Sequence, residues 1–271
     1  MSPSSAAAPA RTPRLVATDL DGTLIRTDGS VSAYTASVLA ELDRRDVPVV
    51  FVTGRPLRWA REVFEYVGSH GLAIVTNGAM VWDVATDGPR LERAIQPDVA
   101  LSVASTLRES MPDVLFSVET VEGWSVEEGL VHGRRIAPVR VGSLEEILAG
   151  PVLKLMARRD GANPDEFVAS AVELVGEVVE VTHSSFPLLE ISARGVTKAS
   201  TLAMLCEDLG IAATDVVAFG DMPNDLPMLT WAGLSYAMAD AHPDVVSCAS
   251  RLAPGHDDDG VATVLAELLG L

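Results

Sequence analysis

Apolar residues first cluster in a short run, "RLVATDL", beginning at Arg14, which predicts a buried strand. "SAYTASVLAELDRR" follows with its apolar positions at helical spacing and Ser32 as the N-cap. "VPVVFVTG" is apolar throughout and stops at Gly54, the pattern of a parallel strand buried on both faces. "RPLRWAREVFEYVG" predicts a helix with Pro56 in its first turn and Gly68 at its C-terminal end. "GLAIVTNG" predicts a third strand that ends in a turn. This β–α–β–α–β order implies a parallel, doubly wound sheet.

The rhythm changes between about Val84 and Leu188. Turns such as "TDGPR", "EEG" and "GRR" surround two predicted helices, "DVALSVASTLRESM" and "PDEFVASAVELVG", and the strand-like runs "VLFSVET", "VLKLMAR" and "VVEVTH". The doubly wound rhythm then returns: helix "VTKASTLAMLCEDLG", strand "DVVAFGD", short helix "DLPMLTWAG", strand "LSYAM" and final helix "GVATVLAELL". The expected class is α/β, a Rossmann-like doubly wound core with an inserted α+β unit. The expected segments are a disordered tail at 1–13, a core at 14–84 and 189–271, and the insertion at 85–188.

Composition narrows the field. The 271 residues suffice for a sizeable core, 48% hydrophobic but only 5% aromatic, so that core should be aliphatic. A net charge of −18 opposes a nucleic-acid partner and an anionic membrane surface, and it obliges an anionic substrate to find local positive charge. Cys206 and Cys248 form no CxxC, and Cys206 is expected as a buried free thiol, which fits a reducing compartment. "MSPSSAAAPARTP" lacks a basic start followed by an apolar run, and no apolar stretch of about 18 residues is present, so a cytoplasmic protein is expected. The chain is read as a monomer or dimer.

In an open α/β sheet, ligands bind at the carboxyl ends of the strands. Strand one ends at Asp19, Asp21 and Thr23, strand two at Thr53 with Arg55 beyond, and strand three at Asn77 and Gly78. "GDMPND" closes the strand after the insertion with Asp221, Asn224 and Asp225, and Lys198 opens the helix before it. Asp19, Asp21 and Asp221 make a hard oxygen cage suited to Mg²⁺, which would offset carboxylate repulsion and supply a positive field. Of two aspartates spaced i, i+2, one can attack phosphorus and the other can serve as acid and base. Thr53 and Lys198 would hold phosphoryl oxygens.

"DLDGTL", "VTGR", "ISARGVTK" and "GDMPND" resemble, in order, the four motifs of the haloacid dehalogenase superfamily of phosphohydrolases. "TNGA", the insertion after it and "DDDGVATVL" resemble its Cof-like subgroup, which carries a type-IIB cap. The resemblance implies that Asp19 is nucleophile and Mg²⁺ ligand. It implies that Asp21 is general acid/base and lends the metal its backbone carbonyl, with Asp221 the third protein ligand. Thr53, Lys198 and Asn224 would then bind substrate phosphate, and Asp225 would position the groups around the metal. Met222 and Pro223 fill the variable middle of the fourth motif, and Asp240 stands where relatives are expected to carry asparagine.

Gly54, Arg55 and Asn77 are candidate substrate contacts, each with a structural alternative as a turn or helix-start residue. In the insertion, His132, Arg134, Arg135, Lys154 and His183 are expected to be exposed or structural, Trp124 to pack in a hairpin, and Asp257–Asp259 to form a solvated loop. The expected activity is a Mg²⁺-dependent phosphatase acting on a small phosphorylated metabolite through an aspartyl-phosphate. A sugar phosphomutase and a non-catalytic phosphate-ligand binder are the alternatives.

Overall fold

The structure, a computed structural model, describes residues 12–130, 137–183 and 188–271. β1 (Leu15–Thr18) leads through α1 (Ala33–Arg44) to β2 (Val49–Val52). A short α2 (Leu57–Ala60) continues as a 3₁₀ segment, Arg61–Tyr66, towards β3 (Leu72–Val75). The chain reverses at Thr76–Gly78 into β4 (Met80–Asp83) and returns as β5 (Gly88–Glu92). Next come α3 (Pro97–Ser110), β6 (Leu115–Thr120), β7 (Gly123–Glu127), β8 (Arg140–Gly142), α4 (Leu144–Ile147), β9 (Lys154–Arg158), α5 (Pro164–Val175), β10 (Val179–Thr182) and β11 (Leu188–Ala193). The remainder is α6 (Lys198–Asp208), β12 (Val216–Gly220), α7 (Leu226–Trp231), β13 (Leu234–Met238), α8 (Pro243–Cys248), β14 (Arg251–Ala253) and α9 (Gly260–Leu269).

Two sheets organise these elements. The larger runs β14-β13-β12-β1-β2-β3-β4-β5, parallel from β14 to β3 and antiparallel beyond. Thr18 stands in register with Phe219 on one side and Phe51 on the other, so β12, β1 and β2 end level. Alternation along the strands covers both faces, as a doubly wound sheet requires. Val16, Val49 and Phe51 pack with Val38, Leu42 and Leu265 of α1 and α9. Leu15, Val50 and Ile74 pack on the opposite face with Leu202, Leu205 and Met228 of α6 and α7.

The smaller sheet runs β10-β11-β9-β6-β7-β8 and is antiparallel except for β7–β8. One face buries Phe116, Val118, Leu155 and Ile191 against Leu107 of α3 and Phe167 of α5. The alternate positions are charged yet buried: Glu119, Lys154 and Glu190.

The expected fold class is present, with two corrections of detail. β5 hydrogen-bonds in the larger sheet and β11 in the smaller, so the chain changes sheets between Glu92 and Ile95 and again after Ala193, not at Val84 and Leu188. The β5 sequence, "GPRLE", is mostly exposed and carries no apolar alternation, so it gave no strand signal. The helix expected over "RPLRWAREVFEYVG" is four α-helical residues followed by a 3₁₀ segment. Arg93 pins the two crossings together: Nη1 donates to Ser200 Oγ and Thr201 Oγ1 at 2.8 Å each, and Nη2 donates to the Gly195 carbonyl at 3.0 Å.

Ser32 caps α1 as expected, accepting the Thr35 N–H. The acidic run is more than a solvated loop: Asp257 accepts the Thr27 N–H and hydroxyl, and Asp259 binds Arg26 and Thr35. Cys206 is buried and free, and burial pushes its thiol up to about 11. Among the described residues, no helix is long and apolar enough to cross a membrane.

Phe51 is fully buried at the centre of the larger sheet, so its loss leaves a cavity that flanking strands cannot close. Phe51→Ala is expected to lower the unfolding free energy by about 3–5 kcal/mol in urea denaturation followed by circular dichroism. Trp59→Ala, at a side chain already 42% exposed, should lower it far less.

Candidate active site

The level ends of β1, β2 and β12 bring the strand-end residues together. Asp19 follows β1 directly, and its N–H donates to the Phe219 carbonyl of β12 at 3.1 Å. Lys198 is the first residue of α6, after the N-cap Thr197. Its Nζ donates to Asp19 Oδ1 at 2.5 Å and Asp225 Oδ1 at 2.6 Å, and all three residues are buried. Asp225 Oδ2 accepts the N–H groups of Asp221 at 3.0 Å and Met222 at 3.1 Å, so its carboxylate shapes the loop after β12. Asp221 Oδ1 accepts the Thr23 hydroxyl at 3.0 Å. A Cβ on Gly22, at φ 72°, would fall 2.4 Å from Asp221 Oδ2, which explains why a glycine follows the two aspartates after β1.

Asp19, Asp221 and Asp225 each offer a carboxylate oxygen within 4.8 Å of the others. Burial holds the Asp19 carboxyl well above the usual carboxylate range, with Asp225 and Asp221 adding to the effect against the pull of Lys198. Burial and the neighbouring Asp225 push Asp221 up to about 7. Burial disfavours charge on Lys198 too, but the two aspartates outweigh it and raise its pKa. Three carboxylates thus face one ammonium in this cluster. Asp225 has both oxygens engaged, whereas Asp19 and Asp221 each spend only Oδ1 on these contacts. A hard divalent cation bound between Asp19 and Asp221 fits the donor chemistry and would favour the ionised form of both raised carboxyls.

The Asp21 side chain is 60% exposed and stands outside this buried group. Arg55 grips it with both arms, Nε to Oδ2 at 2.7 Å and Nη2 to Oδ1 at 2.6 Å, a planar fork that fixes where the carboxyl points. Thr53 is buried, and its Oγ1 accepts the Arg55 N–H at 3.0 Å. Thr76, Asn77 and Gly78 all take positive φ, at 56°, 55° and 101°. For the β-branched Thr76 this is a strained conformation, held at the turn that presents Asn77.

Lys154, expected to be exposed or structural, is buried and donates to the Gly54 carbonyl at 2.6 Å and to Glu190 Oε1 at 2.7 Å. Glu190 Oε2 accepts from Asn77 Nδ2 at 2.7 Å, and Asn77 Oδ1 accepts from Asn224 Nδ2 at 3.1 Å. Sequence reasoning missed Glu190. The available signal was an acidic residue inside the apolar run "LLEISA", matched by the lysine inside "VLKLMAR". Arg58 of α2 pairs with Glu119 of β6 and lies over the rings of Trp59 and Trp124, at 4.7 and 5.8 Å from their centroids. Trp124 is half-buried in the β6–β7 hairpin beneath that guanidinium. His183 pairs with Asp165 of α5 at 3.2 Å. Asp240 is matched by His256, whose Nδ1 lies 2.6 Å from Oδ2. His132, Arg134 and Arg135 lie outside the described residues.

Known proteins resemble this chain in sequence and fold. A phosphoglycolate phosphatase of Methanopyrus kandleri is 30% identical over 255 residues, covering 94% of this chain and 97% of its own. An HMP-PP phosphatase of Enterobacter sp. is 30% identical over 244 residues, covering 88% and 89%. The solved structure of SMU.1108c from Streptococcus mutans superposes with a TM-score of 0.85 at 23% identity over 96% of this chain and all of that one, a likeness of fold. The family of haloacid dehalogenase-like hydrolases matches residues 16–265, so the chain belongs to that family as a Cof-like phosphohydrolase, an enzyme of phosphoric monoesters.

Proposed function

We propose that the enzyme is a Mg²⁺-dependent phosphatase of small phosphorylated metabolites, sugar phosphates or similar monoesters, and that it works through an aspartyl-phosphate on Asp19. The observation that carries this reading is the buried ammonium of Lys198 fixed 2.5 Å from Asp19 Oδ1 at the end of β1. A carboxylate so placed is oriented for attack in a site where charge is weakly screened. The names of the phosphoglycolate and HMP-PP phosphatases support a small phosphorylated substrate. We place the enzyme in the cytoplasm, in keeping with its two free cysteines.

Asp19 and Asp221 would hold Mg²⁺ with the Asp21 backbone carbonyl, and the ion when bound supplies Lewis-acid stabilisation of phosphoryl charge. Asp19 attacks phosphorus as the bond from phosphorus to the leaving oxygen breaks, and Asp21 gives that oxygen a proton. Asp21 then takes a proton from water as the water oxygen attacks phosphorus. Inorganic phosphate leaves and Asp19 is restored. Lys198 has three hydrogens, two of them given to Asp19 and Asp225, so the third is left for a phosphoryl oxygen. The Thr53 hydroxyl accepts from the Arg55 N–H, which leaves its own hydrogen to donate to phosphate. Asn224 spends one amide hydrogen on Asn77 and keeps the other for phosphate. An arriving phosphate competes with Asp21 for the Arg55 guanidinium, and that exchange frees Asp21 for proton transfer.

Phosphate release from a panel of phosphomonoesters tests the reading. Turnover is expected with Mg²⁺, is expected to vanish in EDTA, and should fall roughly a thousandfold or more in Asp19→Asn. Transfer of phosphate to the sugar without release would instead indicate a mutase. Lys198→Met leaves Asp19 and Asp225 buried without their cation, so urea titration should show a loss of about 3–5 kcal/mol together with loss of turnover. Arg55→Ala should raise KM about tenfold through the lost charge-assisted contact, in steady-state assays on the best substrate of the panel.

A further inference from the structure

Lys154 and Glu190 belong to the smaller sheet, on β9 and β11, and the groups they hold belong to loops of the larger one. Lys154 is 2% exposed and Glu190 6%. A buried ion pair adds little stability over packed apolar side chains, so these charges call for another role. What they touch supplies one. The Gly54–Arg55 peptide has its carbonyl held by Lys154 at 2.6 Å and its N–H bonded to Thr53 Oγ1 at 3.0 Å. A peptide group is planar, so the grip on the carbonyl also sets the direction of the N–H, and with it the direction left to the Thr53 hydroxyl hydrogen.

The second arm runs through Asn77. Glu190 as a carboxylate only accepts, so Asn77 must turn its NH₂ to Glu190 and its oxygen to Asn224. That fixes the amide orientation of Asn224, whose Oδ1 is buried with no partner among the described residues. Gly54 lies against this relay: a Cβ there would stand 3.0 Å from Asn77 Oδ1, 3.5 Å from Asn224 Nδ2 and 3.6 Å from Glu190 Oε2. The loop after β2, the turn after β3 and the loop after β12 are thus aligned on one charged pair of the other sheet.

We propose that Lys154 and Glu190 are positioning residues for phosphoryl transfer, and that the relay Lys154–Glu190–Asn77–Asn224 sets the phosphate cradle only when the smaller sheet is seated on the larger. The proposal rests on the phosphatase reading. It adds that substrate engagement by the insertion and alignment of Thr53 and Asn224 are one event.

The test compares the wild-type chain with Lys154→Met/Glu190→Gln, which removes both charges together and leaves neither buried alone. Three quantities are measured: thermal midpoint, affinity for inorganic phosphate by calorimetry in Mg²⁺, and kcat and KM on the best phosphomonoester. The double variant is expected to melt close to the wild type, to bind phosphate about tenfold more weakly, and to lose roughly 100-fold in kcat/KM. A merely structural role would lower the midpoint and leave phosphate affinity per folded molecule unchanged. A folded double variant with wild-type phosphate affinity and kcat/KM overturns the proposal. Should that variant not fold, Asn77→Gly carries the test, because it cuts the relay, spares the ion pair and suits the positive φ. Wild-type phosphate affinity in Asn77→Gly likewise overturns the proposal. A wild-type chain that binds phosphate yet turns over no phosphomonoester sinks the phosphatase reading alone, and the variants' phosphate affinities still decide on the relay. A wild type that binds no phosphate overturns both.

Discussion

One ammonium buried between two carboxylates underlies the arrangement. Lys198 joins Asp19, 179 residues away, to Asp225, 27 residues away, so β1, the start of α6 and the loop after β12 meet through its nitrogen. The chain has 20 Lys and Arg against 38 Asp and Glu, and it places one of these few cations almost wholly out of the solvent. Without it, Asp19 and Asp225 would repel each other in a medium that screens poorly. With it, Asp225 becomes a fixed template for two backbone N–H groups, and Asp19 is held at the strand end. Three carboxylates facing one ammonium are the electrostatic basis for a divalent cation.

The smaller sheet repeats this logic at its contact with the larger one. Its strands alternate between an apolar face under α3 and α5 and a charged face. Glu119 is matched by Arg58 and Glu190 by Lys154, so each buried carboxylate has a cation close by. A sheet of this kind binds its own helices through packing and meets the core through oriented polar groups.

Much of this was legible in the sequence because the signals were local. Continuous apolar runs ending in Asp19, Thr53, Asn77 and Asp221 marked parallel strands, and their shared edge followed from topology. β5 was illegible because an exposed edge strand such as "GPRLE" needs no apolar alternation. The contact of Arg55 with Asp21 spans 34 residues and that of Lys154 with Gly54 spans 100, and nothing in either segment encodes such a pairing. Glu190 left a trace, a charge within an apolar strand, but the trace names no partner. Asp240 reads as added negative charge near the site and does help to raise Asp221, but its contact with His256, 16 residues on, left no trace in the sequence.

Arg93 holds together the points where the chain leaves and re-enters the larger sheet, reaching Gly195 across 102 residues. In polymer terms the whole insertion is then a loop whose ends are already closed. The entropic cost of such a loop grows only with the logarithm of its length, about 0.6 kcal/mol per doubling. Evolution can therefore lengthen, shorten or rewrite what lies between the two ends at small cost to the Rossmann-like core. What ties the insertion to the core beyond its ends is a few charged contacts, Glu119 with Arg58, Lys154 with Gly54 and Glu190 with Asn77.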